Sequence, residues 1–165
     1  MLEKTGIPTE NDLKKVLPDE KRMAKGPFAV IECFQKIPCD PCAASCKFGA
    51  IKHFEDINDL PEIDFDKCTG CGICIGDCPG LAIFVLDNTY SEKEALIKLP
   101  YEMVPVPKKG DKVFALDRAG NMLGQVEVKQ VQKTKNQTNI ISIIVPKELS
   151  MKVRNIKVEG NKYEG

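Results

Sequence analysis

The chain has 165 residues, 42% of them apolar and 29% charged, with no tryptophan and only 6% aromatic residues. That composition supports one or two small globular domains and argues against a disordered chain or an aromatic platform for single-stranded nucleic acid. Basic and acidic side chains balance at 24 each but unevenly: residues 1–90 hold 10 basic and 15 acidic, residues 91–165 hold 14 and 9.

Residues 1–27 read as a polar arm with one short helix. Thr9 suits its N-cap, Glu10 and Asp12 its first turn, and Pro18 its end. Gly26-Pro27 punctuates the chain before a first strand over Phe28-Ala29-Val30-Ile31. Further strands are expected at Ala50 to Phe54 and Leu81 to Leu86, each following a group of cysteines. Beyond Ser91, the prolines at 100, 105 and 107 suggest an extended edge segment over 99–106. Strands follow at 113–116, at 125–131 with Val126 and Val128 inward, and at 140–145, with a polar hairpin loop over 133–139. Pro146 suits the first turn of a short helix reaching Met151, and Val153, Ile156 and Val158 suit a last strand. The expected class is α+β: the arm at 1–27, a compact cysteine-rich core at 28–90, and a small β-barrel-like domain at 91–165.

No run approaches the ~20 apolar residues of a membrane span. Residues 1–25 lack the apolar segment of a secretory leader, so a cytoplasmic location is expected. Thiols there stay reduced, and clustered cysteines read as metal ligands before disulfides.

All eight cysteines fall between Cys33 and Cys78. The second group, Cys68-Thr-Gly-Cys71-Gly-Ile-Cys74-Ile-Gly-Asp-Cys78-Pro79, is C-x2-C-x2-C-x3-C-P without deviation. Three closely spaced thiolates wrap one loop around a four-iron cubane, and the fourth ligates the neighbouring cluster. The first group is irregular. Cys39, Cys42 and Cys46 keep the spacing, but Lys36 stands where the first cysteine belongs, and Cys33 lies upstream of Cys39 with five residues between them. Cys33 is the proposed displaced ligand, because two cubanes need eight thiolates and the chain has eight.

The resulting expectation is crossed: cluster I takes Cys33, Cys39, Cys42 and Cys78, while cluster II takes Cys46, Cys68, Cys71 and Cys74. Two alternatives stay open. Cys33 is a free buried thiol beside a cluster ligated otherwise, or the cysteines bind structural zinc.

Residues 28–87 thus resemble the bacterial two-cluster ferredoxins. The resemblance implies two [4Fe–4S] clusters close enough for fast electron exchange, a pseudo-two-fold axis, and no catalytic residues of the chain's own. The phrase Val30-Ile31-Glu32-Cys33, followed by Ile37-Pro38-Cys39-Asp40-Pro41-Cys42 and a barrel-like tail, is similar to small iron–sulfur subunits. Those accompany flavin-dependent dehydrogenases of amines and amino acids, of the proline or hydroxyproline type, in anaerobes and archaea. This implies a single-electron relay within a hetero-oligomeric flavoprotein complex; the scarce aromatics and the missing apolar span, taken separately, lead to the expectation of neither nucleic acid nor membrane as partner. The rival functions are a freely diffusing ferredoxin and an iron–sulfur sensor.

His53 is the sole histidine, too few for a Rieske centre. Glu55, Asp56, Asp59, Glu62, Asp64 and Asp66 form an acidic stretch whose default is a solvated loop. No nucleophile–base motif, Walker loop or G-x-G-x-x-G is present.

Overall fold

The computed structural model describes residues 2–159. Positions 160–165, the end of the third expected region, lie outside the described residues. The arm contains α1 (Leu2–Thr5), α2 (Glu10–Val16) and α3 (Glu20–Met23). Thr9 caps α2 reciprocally: its hydroxyl accepts from the Asp12 N–H, and the Asp12 carboxylate accepts from the Thr9 N–H.

The rest is organised by one antiparallel sheet. Its strands are β1 (Phe28–Ile31), β2 (Ile83–Asp87), β3 (Glu94–Tyr101), β4 (Lys112–Leu116), β5 (Met122–Lys133), β6 (Asn139–Pro146) and β7 (Asn155–Lys157). They pair in the order β1-β2-β3-β6-β5-β4-β7. Strand pairing therefore runs unbroken across the expected boundary near residue 91, because β2 pairs with β3 through Asp87↔Leu96, Leu86↔Ile97 and Val85↔Lys98.

The unbroken apolar runs of β1 and β2 follow from burial on both faces. Phe28, Val30, Phe84 and Leu86 point into a core shared with Ile97, Leu99, Val113, Val128, Ile141, Ile143 and Ile156. Their neighbours Ala29, Ile31, Ile83 and Val85 point the other way, into a second core with Ile51, Ile75, Cys42 and Cys74. The two-residue period of a strand thus separates a β-domain face from a cysteine face.

Three expectations are corrected. Ala50 to Phe54 is not a strand: only Ile51 forms a bridge, to Ile63, with Lys52 N–H bonding Glu62 O and Asp64 N–H bonding Ala50 O. The acidic stretch between has no periodic apolar partner to extend that pairing. The segment 99–106 is extended only in part: Leu99 to Tyr101 complete β3 and pair with β6 alone, past the end of the β2 pairing, so the edge holds for these three residues, while 102–106 lie outside any strand. Pro100 is tolerated because it lies beyond Lys98, the last residue of β3 paired with β2. After Pro146 there is one 3-10 turn, Lys147–Leu149, instead of a helix reaching Met151.

Candidate metal centre

Two five-residue helices set the geometry, α4 (Pro41–Ser45) and α5 (Ile73–Asp77), which pack against each other. Each carries one cysteine in its first turn, Cys42 or Cys74, and ends on another as its C-cap, Cys46 or Cys78. The two thiols of each helix open into different pockets. Cys33, Cys39, Cys42 and Cys78 line one pocket; Cys46, Cys68, Cys71 and Cys74 line the other.

All eight thiols are free. Among the described residues, no three His, Cys, Asp or Glu side chains are gathered closely enough to hold a single metal ion. Four sulfurs spread around a hollow suit a multi-iron body, whereas a tetrahedral zinc site draws four donors to one point. The donor set therefore fits a cubane in each pocket.

Cys33 reaches its pocket by strand alternation. The Glu32 N–H continues the β1–β2 ladder by bonding Ala82 O at 2.8 Å. Ala29 and Ile31 face the cysteine side, and the next position of that parity is Cys33. Glu32 turns to the opposite side, toward the β-domain.

Residues 37–82 match the family model described as a 4Fe-4S dicluster domain. This segment is a two-cluster ferredoxin-type domain. Its cofactors are two [4Fe–4S] clusters. The match begins at Ile37, so it includes seven of the eight cysteines and leaves out Cys33.

Among relatives, pyruvate synthase subunit PorD of Methanocaldococcus jannaschii is 45% identical over 47 residues, 28% of this chain and 52% of that protein. A component of the ion-translocating oxidoreductase complex of Methanosarcina acetivorans is 47% identical over 47 residues, 28% of this chain and 17% of that component. Ferredoxin-type protein NapF of Haemophilus influenzae is 34% identical over 59 residues, 34% of each chain. The chain therefore spans about half the length of PorD and far less of the ion-translocating component. No solved structure matches the chain.

Four of the thiols, Cys33, Cys39, Cys42 and Cys74, are costly to ionise without iron. Burial, then the neighbouring Cys78, pushes Cys42 up to about 11. Burial, then Cys71, Cys68 and Cys46, pushes Cys74 up to about 12. Cys33 and Cys39 are raised by burial and by Cys78. These thiols thus feel their own pocket-mates, and iron must supply the positive charge that makes four adjacent thiolates tolerable. Backbone donors reach sulfur in both pockets, among them Ala29 N–H to Cys68 Sγ at 3.3 Å and Ala82 N–H to Cys78 Sγ at 3.4 Å.

Residues outside the domain brace it. Arg22 of α3 donates to Phe65 O at 2.7 Å, Pro27 O at 2.9 Å and Cys68 O at 2.6 Å, tying the arm to the second motif. Glu32 accepts from Arg118 at 2.6 Å and from Arg154 at 2.7 Å. Arg154 also donates to Ser150 O and Val153 O and lies over the Phe84 ring. Arg118 and Arg154 stand 86 and 122 positions from Glu32, so no local pattern announces the pairing. The acid after an apolar run in Phe28-Ala29-Val30-Ile31-Glu32 is the one available hint.

His53 is exposed. Of the acidic stretch, Glu62 pairs with Lys52 and Asp64 with Lys67, while Asp56 and Asp59 bond backbone N–H groups of their own loop. Among the described residues no helix is long and apolar enough to cross a membrane.

Proposed function

We propose that this chain relays single electrons through two [4Fe–4S] clusters as a non-catalytic subunit of a multi-subunit oxidoreductase. Cys33, Cys39, Cys42 and Cys78 hold cluster I; Cys46, Cys68, Cys71 and Cys74 hold cluster II. The observation that carries this is the pair of adjacent four-cysteine pockets with exchanged membership across α4 and α5. When bound, each cluster supplies a one-electron couple whose potential is set by local charge, hydrogen bonds to sulfur and exposure. The chain's part is to supply thiolates, donate N–H groups to them, and keep the pockets apolar with Ile31, Ile51 and Ile83.

Membership of a complex is favoured by PorD and by the Methanosarcina acetivorans relative, both named as parts of larger enzymes. It is also favoured by the two stretches that flank the dicluster domain, an arm and a sheet extension that a diffusing carrier does not need. We assign a docking role to 91–165 and a cytoplasmic setting to the complex. The finer proposal is a flavin-dependent partner enzyme, supported by the irregular first motif and its likeness to the small iron–sulfur subunits described above.

The test is iron and acid-labile sulfide on anaerobically purified protein, with electron paramagnetic resonance (EPR) after dithionite. About eight irons per chain and interacting signals are expected for two neighbouring cubanes; about four irons, or zinc, would overturn the assignment. Isolation of the native assembly tests the rest. Co-purifying flavoprotein subunits are expected, and a lone monomer would point to a shuttle.

A further inference from the structure

The two pockets are lined by similar apolar residues but by charges of opposite sign. The pocket of Cys33, Cys39, Cys42 and Cys78 includes Asp59 and no basic residue. The pocket of Cys46, Cys68, Cys71 and Cys74 includes Lys47 and no acidic residue. Two further cations, neither lining that pocket, reach its wrapping loop from outside the dicluster domain: Arg22, at Cys68 O, and Lys98. Lys98 stands on β3 directly opposite Val85, whose side chain belongs to the cysteine-side core. Opposed residues of an antiparallel pair share a face, so the register aims Lys98 at the second motif. Its Nζ donates to Gly70 O at 3.3 Å and Cys71 O at 3.2 Å. Lys98 packs beside Gly72, whose φ of +88° is what calls for glycine there; a Cβ at that position would meet Lys98 Cδ at an ordinary contact distance of 3.4 Å.

Lys36 belongs to the loop of the first pocket but does not line that pocket: it lies with Glu55, Asp59 and Glu62 of the acidic stretch, and its charge acts on Asp56. Arg118 and Arg154 lie behind Glu32, bonded to its carboxylate and to carbonyls of 150–153, and neither lines the pocket. Reduction adds a negative charge to a cluster. An ammonium held against the wrapping loop stabilises that charge, whereas a carboxylate at the wall opposes it.

We infer that Lys98, delivered by β3, raises the reduction potential of cluster II above that of cluster I. This rests on the two-cluster assignment above. It gives the sheet extension a role in electronics as well as docking: β3 sets which of the two one-electron couples is reduced first. Cluster II then lies thermodynamically downhill of cluster I for an electron entering the chain.

The experiment is a dithionite titration of the full chain followed by EPR, with the cluster II signal identified as the one altered in Cys71→Ala. In the wild type, cluster II is expected to reduce first. Lys98→Met and Lys98→Gln should lower its midpoint while leaving cluster I in place, and Lys98→Arg should keep the wild-type value. The Gln variant retains a donor for the two carbonyls but no charge, so it separates charge from hydrogen bonding. The inference is overturned if cluster I reduces first in the wild type, if Lys98→Gln behaves as the wild type, or if both clusters shift together. It is also overturned if Lys98→Arg shifts like Lys98→Met, or if all three variants lose cluster II iron, which would make Lys98 a structural clasp. A wild-type protein with a single cluster would instead defeat the two-cluster assignment itself.

Discussion

The loop from Cys68 to Cys74 and the loop from Cys33 to Cys42 each deliver three thiols to a pocket, yet they are held in different ways. The regular loop is gripped from both flanks, by Arg22 at Cys68 O and by Lys98 at Gly70 O and Cys71 O. Gly70 is buried against Pro27, and Asn136 of the β5–β6 turn bonds Gly76 O and Asp77. The irregular loop has one strong anchor, Glu32 beside Cys33, bound to two arginines of the β-domain. Downstream, the Cys39 N–H bonds Ile57 O of the acidic loop at 3.1 Å. A short motif keeps its shape by glycine turns and close contacts. A motif stretched by three residues needs its displaced cysteine fixed from elsewhere, and a buried ion pair on the opposite strand face does that.

The contrast is broken most directly at the thiols. Cys74→Ala removes a buried donor of cluster II, and iron is expected to fall from about eight per chain with loss of one EPR signal. Cys33→Ala is the sharper test of the irregular loop. Cluster I should lose its four-iron signal while cluster II keeps its own. Unchanged iron and spectra would make Cys33 a free thiol.

The anchors come next. The side chains of Glu32 and Arg154 are 8% and 4% exposed. Glu32→Ala leaves two guanidiniums buried without a counter-charge and should cost about 3–5 kcal/mol. Denaturant unfolding of the loaded protein measures it. Arg154→Met should cost less, since Arg118 still pairs with Glu32. Equal losses would show that Arg154 contributes by packing on Phe84 as well as by its charge.

The smallest effects belong to the glycines. A Cβ at Gly70, where φ is +65°, would sit 2.5 Å from Pro27 Cβ and 2.7 Å from its carbonyl carbon. Gly70→Ala should therefore destabilise by about 1–3 kcal/mol. Gly76→Ala meets a Thr134 methyl at 2.7 Å, which can turn aside, and should cost less. The same unfolding measurement ranks the two, and the reverse order would mean that the turn carrying Thr134 is stiffer than the loop at Pro27.

Much of the local structure was legible in the sequence because its causes are local. The Thr9 cap needs only Asp12, three residues on. The apolar runs of β1 and β2, and the inward Val126 and Val128, follow from burial pattern. The errors came where pairing is remote. Ala50 to Phe54 looks like a strand until it is seen to find a partner only at Ile63. The prolines over 99–106 mark an edge only locally: Pro100 pairs with Ile140 of β6 but lies past Lys98, where the pairing with β2 stops.

By itself the sequence determined the chemistry: seven thiols at the spacing of two-cluster ferredoxins and an eighth, Cys33, displaced upstream. The tertiary structure alone decided the electrostatics. Lys98 meets the second loop through the β2–β3 register, and Arg118 and Arg154 meet Glu32 across most of the chain. Ligand spacing is written within a few residues of chain, where backbone geometry fixes it. The charge around a pocket is assembled from strands distant in sequence, and only their pairing brings it there.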